Sequence, residues 1–207
     1  MKLTIVGCGP GSREYLTRAA EQIVDEAEVI VGSPGLLALF PEAPGEKVAV
    51  DNVYERLDLV EKTYKQKRTV LLVTGDPGVH SLARLAIERI GRQNCEVVPG
   101  ISSVQLAFAK AGLVWDEARV VSYHGGEGGN LREVSSEKAH VAILTDEKTS
   151  PSKIAEELLT HCEPARAVIL CERLSLPGEK IQQMTLQALK DVKADSPNIV
   201  ILLGRET

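Results

Sequence analysis

The sequence predicts an α/β protein made of two α/β domains that share a cleft, and three observations carry that prediction. Short β-branched runs alternate with longer amphipathic stretches, as they do where helices wrap a largely parallel sheet. Thr69–Thr74 (TVLLVT) is almost wholly apolar, as a central strand buried on both faces requires. Turns rich in glycine and proline follow directly on three of the strand-like runs.

Taken in order, Lys2–Val6 reads as the first strand and Glu14–Val24 as a helix, with Ser12 placed to cap it after the glycines. Ala27–Val31 is a second strand. Ser33 and Pro34 then open a short helix over Gly35–Phe40, proline being suited to a first helical turn. Glu46–Val50 is a short strand, and Val53–Gln66 a helix whose Leu57, Val60 and Tyr64 fall on one face. After Thr69–Thr74 come a helix over Ser81–Ile90, a strand over Glu96–Val98 and a helix over Ser102–Ala111. A fresh series begins beyond Gly112, with strands at Arg119–Tyr123, Val141–Thr145, Ala167–Cys171 and Ile199–Leu203 and helices at Ser152–Leu159 and Leu186–Val192. We place the boundary near residue 115, giving domains 1–114 and 115–207.

Bulk composition narrows the function classes. The chain has 207 residues, 43% hydrophobic and 26% charged, within the range of globular proteins. A net charge of -5 and a scarcity of aromatics argue against nucleic-acid binding. There is no charged leader with an apolar signal segment and no apolar run long enough to span a bilayer, so a cytoplasmic location is expected, with no membrane partner. Cys8, Cys95, Cys162 and Cys171 are dispersed and form no CxxC pair, as expected of buried thiols in a reducing compartment; no metal site is predicted.

Three turns carry the functional signal. Gly7-Cys8-Gly9-Pro10-Gly11-Ser12 joins a strand to a helix, where glycine permits close approach of a ligand to the backbone. The third glycine comes one residue too early for a dinucleotide fingerprint, and Pro10 removes an N–H donor. A tight turn and an adenosyl ligand both stay open on this segment, with NAD the weakest alternative. Thr74-Gly75-Asp76-Pro77-Gly78 sits at the carboxyl end of the central strand, the edge at which open α/β sheets bind ligands, although Asp-Pro-Gly is also a common turn. Pro99-Gly100-Ile101-Ser102-Ser103 repeats the theme, its hydroxyls placed either to cap a helix or to meet a ligand. Together the three turns are expected to ring one pocket. His124, in a glycine turn after the first strand of the second half, is a candidate acid or base beside the plainer reading of a structural histidine. Phosphate-loop, nucleophile-elbow and HExxH patterns are missing.

The order GxGPG (7–11), TGDPG (74–78), PGISS (99–103), SYHGG (122–126), LTD (144–146), CERLSLPGE (171–179) and SPNIVIL (196–202) resembles the tetrapyrrole (corrin/porphyrin) methylase family over nearly the whole chain. Segments 99–125 and 144–151 are most similar to those members that methylate C5 of a corrin precursor. The resemblance implies S-adenosyl-L-methionine as donor, held in a cleft between the domains by Pro10, Gly75, Asp76, His80, Ser102, Ser103, Leu144 and Thr145, with the first glycine loop lining the substrate trough. It further implies cobalt-precorrin-6B as substrate, a homodimer, and a separate C15-methyltransferase/decarboxylase, since the chain ends without the fused domain of larger relatives. His124 and Asp146 are the candidate proton acceptors. Arg13, Arg84, Arg132 and Arg173 are candidates for meeting the carboxylates of the substrate.

Overall fold

The computed structural model describes residues 1–123, 131–146 and 148–204, and the chain divides into two compact units, Met1–Ser102 and Ser103–Thr207. The first runs β1 (Leu3–Gly7), α1 (Arg18–Asp25), β2 (Val29–Gly32), α2 (Pro34–Leu37), β3 (Glu46–Ala49), α3 (Val53–Thr63), β4 (Thr69–Val73), α4 (Ala83–Ile90) and β5 (Cys95–Val98). Its strands form one parallel sheet in the order β3-β2-β4-β1-β5.

The apolar run of β4 follows from that position between β2 and β1. Side chains alternate along a strand, so Val70 and Leu72 enter one core with Val6, Val24, Ile30, Leu36 and Leu37, while Leu71 and Val73 enter another with Ile5, Val31, Leu57, Val60 and Ala86. α1 and α2 therefore cover one face and α3 and α4 the other, which is why no strand position in β4 tolerates a solvated side chain.

One boundary differs from expectation. Ser12 does not cap a long helix: Arg13–Tyr15 form a single 3-10 turn, and Leu16 and Thr17 are extended. Leu16 packs onto the core from that extended position, and α1 starts anew with Thr17 Oγ1 accepting from Ala20 N at 3.1 Å.

The second unit runs α5 (Ser103–Ala111), β6 (Arg119–Ser122), α6 (Leu131–Ser136), β7 (Val141–Leu144), α7 (Pro151–Leu158), β8 (Ala167–Glu172), β9 (Lys180–Thr185), α8 (Leu186–Leu189) and β10 (Asn198–Leu202). The expectation of parallel pairing fails here. In the order β6-β7-β10-β8-β9 only β6 and β7 are parallel, and the remaining three pairings are antiparallel. β9, which the sequence reading missed, is a mostly exposed edge strand of sequence KIQQMT; α6 was missed as well. Val121, Val134, Ile143, Ile154, Leu158, Leu170, Leu186 and Val200 build one continuous core from β6, α6, β7, α7, β8, α8 and β10. The division between units falls before α5, whereas the sequence placed it near residue 115. α5 packs on β10, with the fully buried Phe108 ring 6.1 Å from that of His140.

Two outcomes test this packing. Leu72→Ala should lower stability by about 2–5 kcal/mol in a denaturant titration. With a thiol-specific chromogenic reagent, the native protein should show Cys95, half-buried, reacting ahead of the buried Cys8, Cys162 and Cys171, all four reacting once it is unfolded. Burial pushes both Cys8 and Cys171 up to about 12, although a backbone hydrogen bond at Val73 opposes it at Cys8 and the charge of Glu179 adds to it at Cys171.

Candidate functional site

Because β1 lies between β4 and β5 in a parallel sheet, the turns that follow these three strands emerge side by side at one edge. Backbone bonds then join them. Cys8 N donates to Val73 O at 2.9 Å, Gly75 N to Gly9 O at 2.8 Å and Gly9 N to Gly75 O at 3.3 Å, so Gly9 and Gly75 extend the pairing of β1 and β4 as an isolated antiparallel bridge.

Glycine is required in this cluster for two distinct reasons. Gly9 and Gly75 sit at φ 72° and 67°, a region that side chains disfavour. Gly7 and Gly100 are instead crowded by other backbone. A Cβ on Gly7 would lie 2.7 Å from Gly100 N, Gly75 O and Pro77 Cδ, and one on Gly100 would collide with Gly75 O and lie 2.7 Å from Gly7 C. The turns of residues 7–12, 74–78 and 99–102, which all belong to the first unit, thus lie against one another at this edge.

Asp76 ties the cluster. Its Oδ1 accepts from Gly78 N at 2.7 Å, which shapes its own turn, and its Oδ2 accepts from Gly100 N at 3.1 Å, which fastens the neighbouring turn. That second bond spans 24 residues of sequence and has no local signature: a role for Asp76 in fixing backbone N–H groups is readable from the sequence, but Gly100 as its partner is not. Pro10 is buried, Ser102 is 4% exposed, and His80 is exposed in a left-handed conformation at φ 45°. Ser12 Oγ is buried without a hydrogen-bond partner among the described residues.

In the second unit, Leu144 ends β7 and is half-buried, Ser103 begins α5, and Thr145 Oγ1 donates to Asn198 O at 2.8 Å. Asp146 closes a turn: its Oδ1 accepts from Lys148 N at 2.9 Å and Thr149 N at 2.7 Å. His124 lies outside the described residues. Tyr123, just before it, is a poor proton acceptor at neutral pH, because burial first and the charge of Glu157 second push its phenol up to about 12 against the opposing charge of Arg119. Among the described residues no cluster of His, Cys, Asp or Glu could hold a metal ion, and no helix is long and apolar enough to cross a membrane.

Comparison with known proteins identifies the family. Residues 2–190 match the family model described as Tetrapyrrole (Corrin/Porphyrin) Methylases. Cobalt-precorrin-7 C(5)-methyltransferase of Salmonella typhimurium is 31% identical over 206 residues, covering 97% of this chain and 98% of that protein. Precorrin-6Y methylase of Archaeoglobus fulgidus superposes with a TM-score of 0.78 at 26% identity, covering 99% of both chains. Uroporphyrin-III C-methyl transferase of Thermus thermophilus, in a complex with S-adenosylhomocysteine, superposes with a TM-score of 0.81 at 28% identity, covering 98% of this chain and 92% of that one. With the family model matched over nearly its whole length, the chain belongs to the tetrapyrrole (corrin/porphyrin) methylases.

Proposed function

We propose that this protein transfers a methyl group from S-adenosyl-L-methionine to C5 of cobalt-precorrin-6B, giving cobalt-precorrin-7 in cobalamin biosynthesis. The relative from Salmonella typhimurium, 31% identical along 98% of its length, is named cobalt-precorrin-7 C(5)-methyltransferase, which supports methyl transfer at C5 of a cobalt-precorrin. The Thermus thermophilus structure with S-adenosylhomocysteine supports the donor.

One observation of this chain's own residues carries the donor reading. The turns at 7–12, 74–78 and 99–103 contain no Lys or Arg, and Asp76 is their one carboxylate. A site for a dinucleotide's phosphates would present cations or free helix N–H groups, whereas Pro10 removes a donor from the first turn. A cationic sulfonium compound is favoured by an anionic tie among glycines, where the bare backbone gives an adenosyl group room to approach. The donor supplies an electrophilic methyl group and a neutral thioether leaving group.

The protein's contribution is to orient and to exclude water. The electron-rich macrocycle itself is the nucleophile, so no thiolate or phenolate of the chain is called on, consistent with the raised Cys8 and Tyr123. Pro10, Gly75, Asp76, His80 and Ser102 of the first unit are proposed donor contacts, as are Ser103, Leu144 and Thr145 of the second. His124 and Asp146 are the proposed proton acceptors; Asp146 Oδ1 accepts from two backbone N–H groups, which fixes the carboxylate in its turn. We carry with this reading a homodimer, to be checked by light scattering, and a separate enzyme for C15 methylation and decarboxylation.

Titration with S-adenosylhomocysteine should show saturable binding well below about 1 mM; absence of binding at that concentration would sink the methyltransferase reading. Incubation with cobalt-precorrin-6B and donor should add one methyl by mass, located at C5 by carbon NMR. Asp76→Ala should weaken donor binding by about tenfold or more and cost about 1–3 kcal/mol of stability, because Gly78 N and Gly100 N lose their acceptor. Gly100→Ala should abolish measurable binding through displacement of the same turns, and wild-type affinity in both variants would mean that the donor binds elsewhere.

A further inference from the structure

The strand pair β8 and β9 is joined by a loop, residues 173–179, that the sequence motifs single out but that the donor chemistry leaves unused. Its backbone is strained at two non-glycine positions, with Arg173 at φ 50° and Ser175 at φ 63°. It is nonetheless tightly held. Arg173 N donates to Pro197 O at 2.8 Å, Leu176 N donates to Arg173 O at 2.8 Å, Leu174 is buried, and Ser175 N donates to Glu179 Oε2 at 2.7 Å. Lys110 Nζ of α5 reaches Glu179 Oε1 at 2.7 Å and clamps the far end. Ser175 Oγ is buried there without a partner among the described residues.

This rigid loop fixes a guanidinium that has no acidic partner among the described residues. Arg173 Nε donates to Pro177 O at 2.8 Å, which sets the plane of the group, and the two terminal nitrogens have no partner among the described residues. Two carboxylates lie close in sequence, and both are engaged elsewhere. Glu172 Oε1 accepts from Asp195 N at 2.6 Å, and Glu179 is held by Lys110 and Ser175 N. The other candidate arginines are placed differently. Arg84 is paired with Glu88 at 2.9 Å, Arg132 has partners within the protein, and Arg13 shares its cavity with Glu21, Asp25 and Glu42.

We propose that Arg173 is a specificity-determining residue whose terminal nitrogens take a carboxylate of the tetrapyrrole substrate as a bidentate pair. A planar fork oriented in advance loses little freedom on meeting a carboxylate, and in a protein of net charge -5 a cation kept clear of internal acids is what a polycarboxylate needs. The strained backbone persists because the Glu179 clamp and the buried Leu174 hold it, and that strain aims the side chain. This inference rests on the methyl-transfer reading for the identity of the substrate.

The test compares wild type with Arg173→Asn and Arg173→Lys in steady-state methylation of cobalt-precorrin-6B by the full chain. Asparagine tolerates the left-handed backbone, so the loop is retained while the guanidinium is removed. In Arg173→Asn, KM for the corrin should rise about tenfold or more, with kcat, S-adenosylhomocysteine affinity and melting temperature close to wild type. Arg173→Lys, which keeps the charge without the fork, should fall between. An unchanged KM in Arg173→Asn overturns the proposal, as does a parallel loss of donor affinity. If wild type itself forms no methylated corrin, the methyl-transfer reading fails on its own account. Fluorescence titration with uroporphyrin then reads the arginine without turnover: weaker binding in Arg173→Asn upholds its role in carboxylate binding, and wild-type affinity overturns it.

Discussion

Everything in the first unit is arranged around the contact of backbone with backbone at Gly7, Gly75 and Gly100. A parallel sheet brings the ends of β4, β1 and β5 to one edge, but strands lie nearly 5 Å apart, and turns leaving them would normally diverge. Here they converge until a single methyl group on Gly7 or Gly100 would meet main-chain atoms of the neighbouring turn. Glycine carries an entropic cost for such freedom, and the offset comes from the Gly9–Gly75 bridge and the two bonds of Asp76. The carboxylate thereby does two things at once. It satisfies N–H groups that the crowded turns leave without sheet partners, and it places the only negative charge of the cluster at its centre.

How much of this was legible in the sequence depends on whether the cause was local. β4 was readable because Val70, Leu71, Leu72 and Val73 have no polar break, and only a strand covered on both faces has that need. The three turns were readable because Gly and Pro announce their backbone demands one residue at a time. The bond from Gly100 N to Asp76 was not, since it depends on the order β4-β1-β5, which no short segment encodes. The false helical start at Glu14 has a similar origin: the residues suit a helix, but Leu16 gains more from extending into the core.

In the second unit the same apolar runs concealed strand direction. Val168, Leu170, Val200 and Leu202 belong to one core, and the opposite sides of β8 and β10 bury Ile169, Cys171, Ile199 and Ile201 as well. A run buried on both faces reads alike in parallel and antiparallel company, so direction had to come from the connections. The informative connection was β9, whose Lys180, Ile181, Gln182 and Gln183 are exposed at a sheet edge and lack any alternation that would mark a strand. Without β9 the unit looks like a second set of parallel β-α repeats; with it, β8 and β9 form a hairpin whose loop is the strained segment bearing Arg173.

The distribution of charge and reactivity follows from these two frameworks. Two groups that could act as strong nucleophiles are suppressed by burial: the Cys8 thiol stays protonated within the first glycine loop, and Tyr123 keeps its proton at the end of β6. Charged groups that remain are held by backbone, Asp76 by Gly78 and Gly100, Asp146 by Lys148 and Thr149, and Arg173 by Pro177. A reaction whose nucleophile and electrophile both arrive with the ligands asks little else of a protein than fixed geometry. Side chains locked by main-chain hydrogen bonds meet that demand better than flexible ones paired with each other, because the backbone positions are themselves set by the sheets. The electrostatic pattern is therefore an outcome of the fold's hydrogen-bond accounting: the same bonds that complete the turns fix where Asp76, Asp146 and Arg173 place their charges.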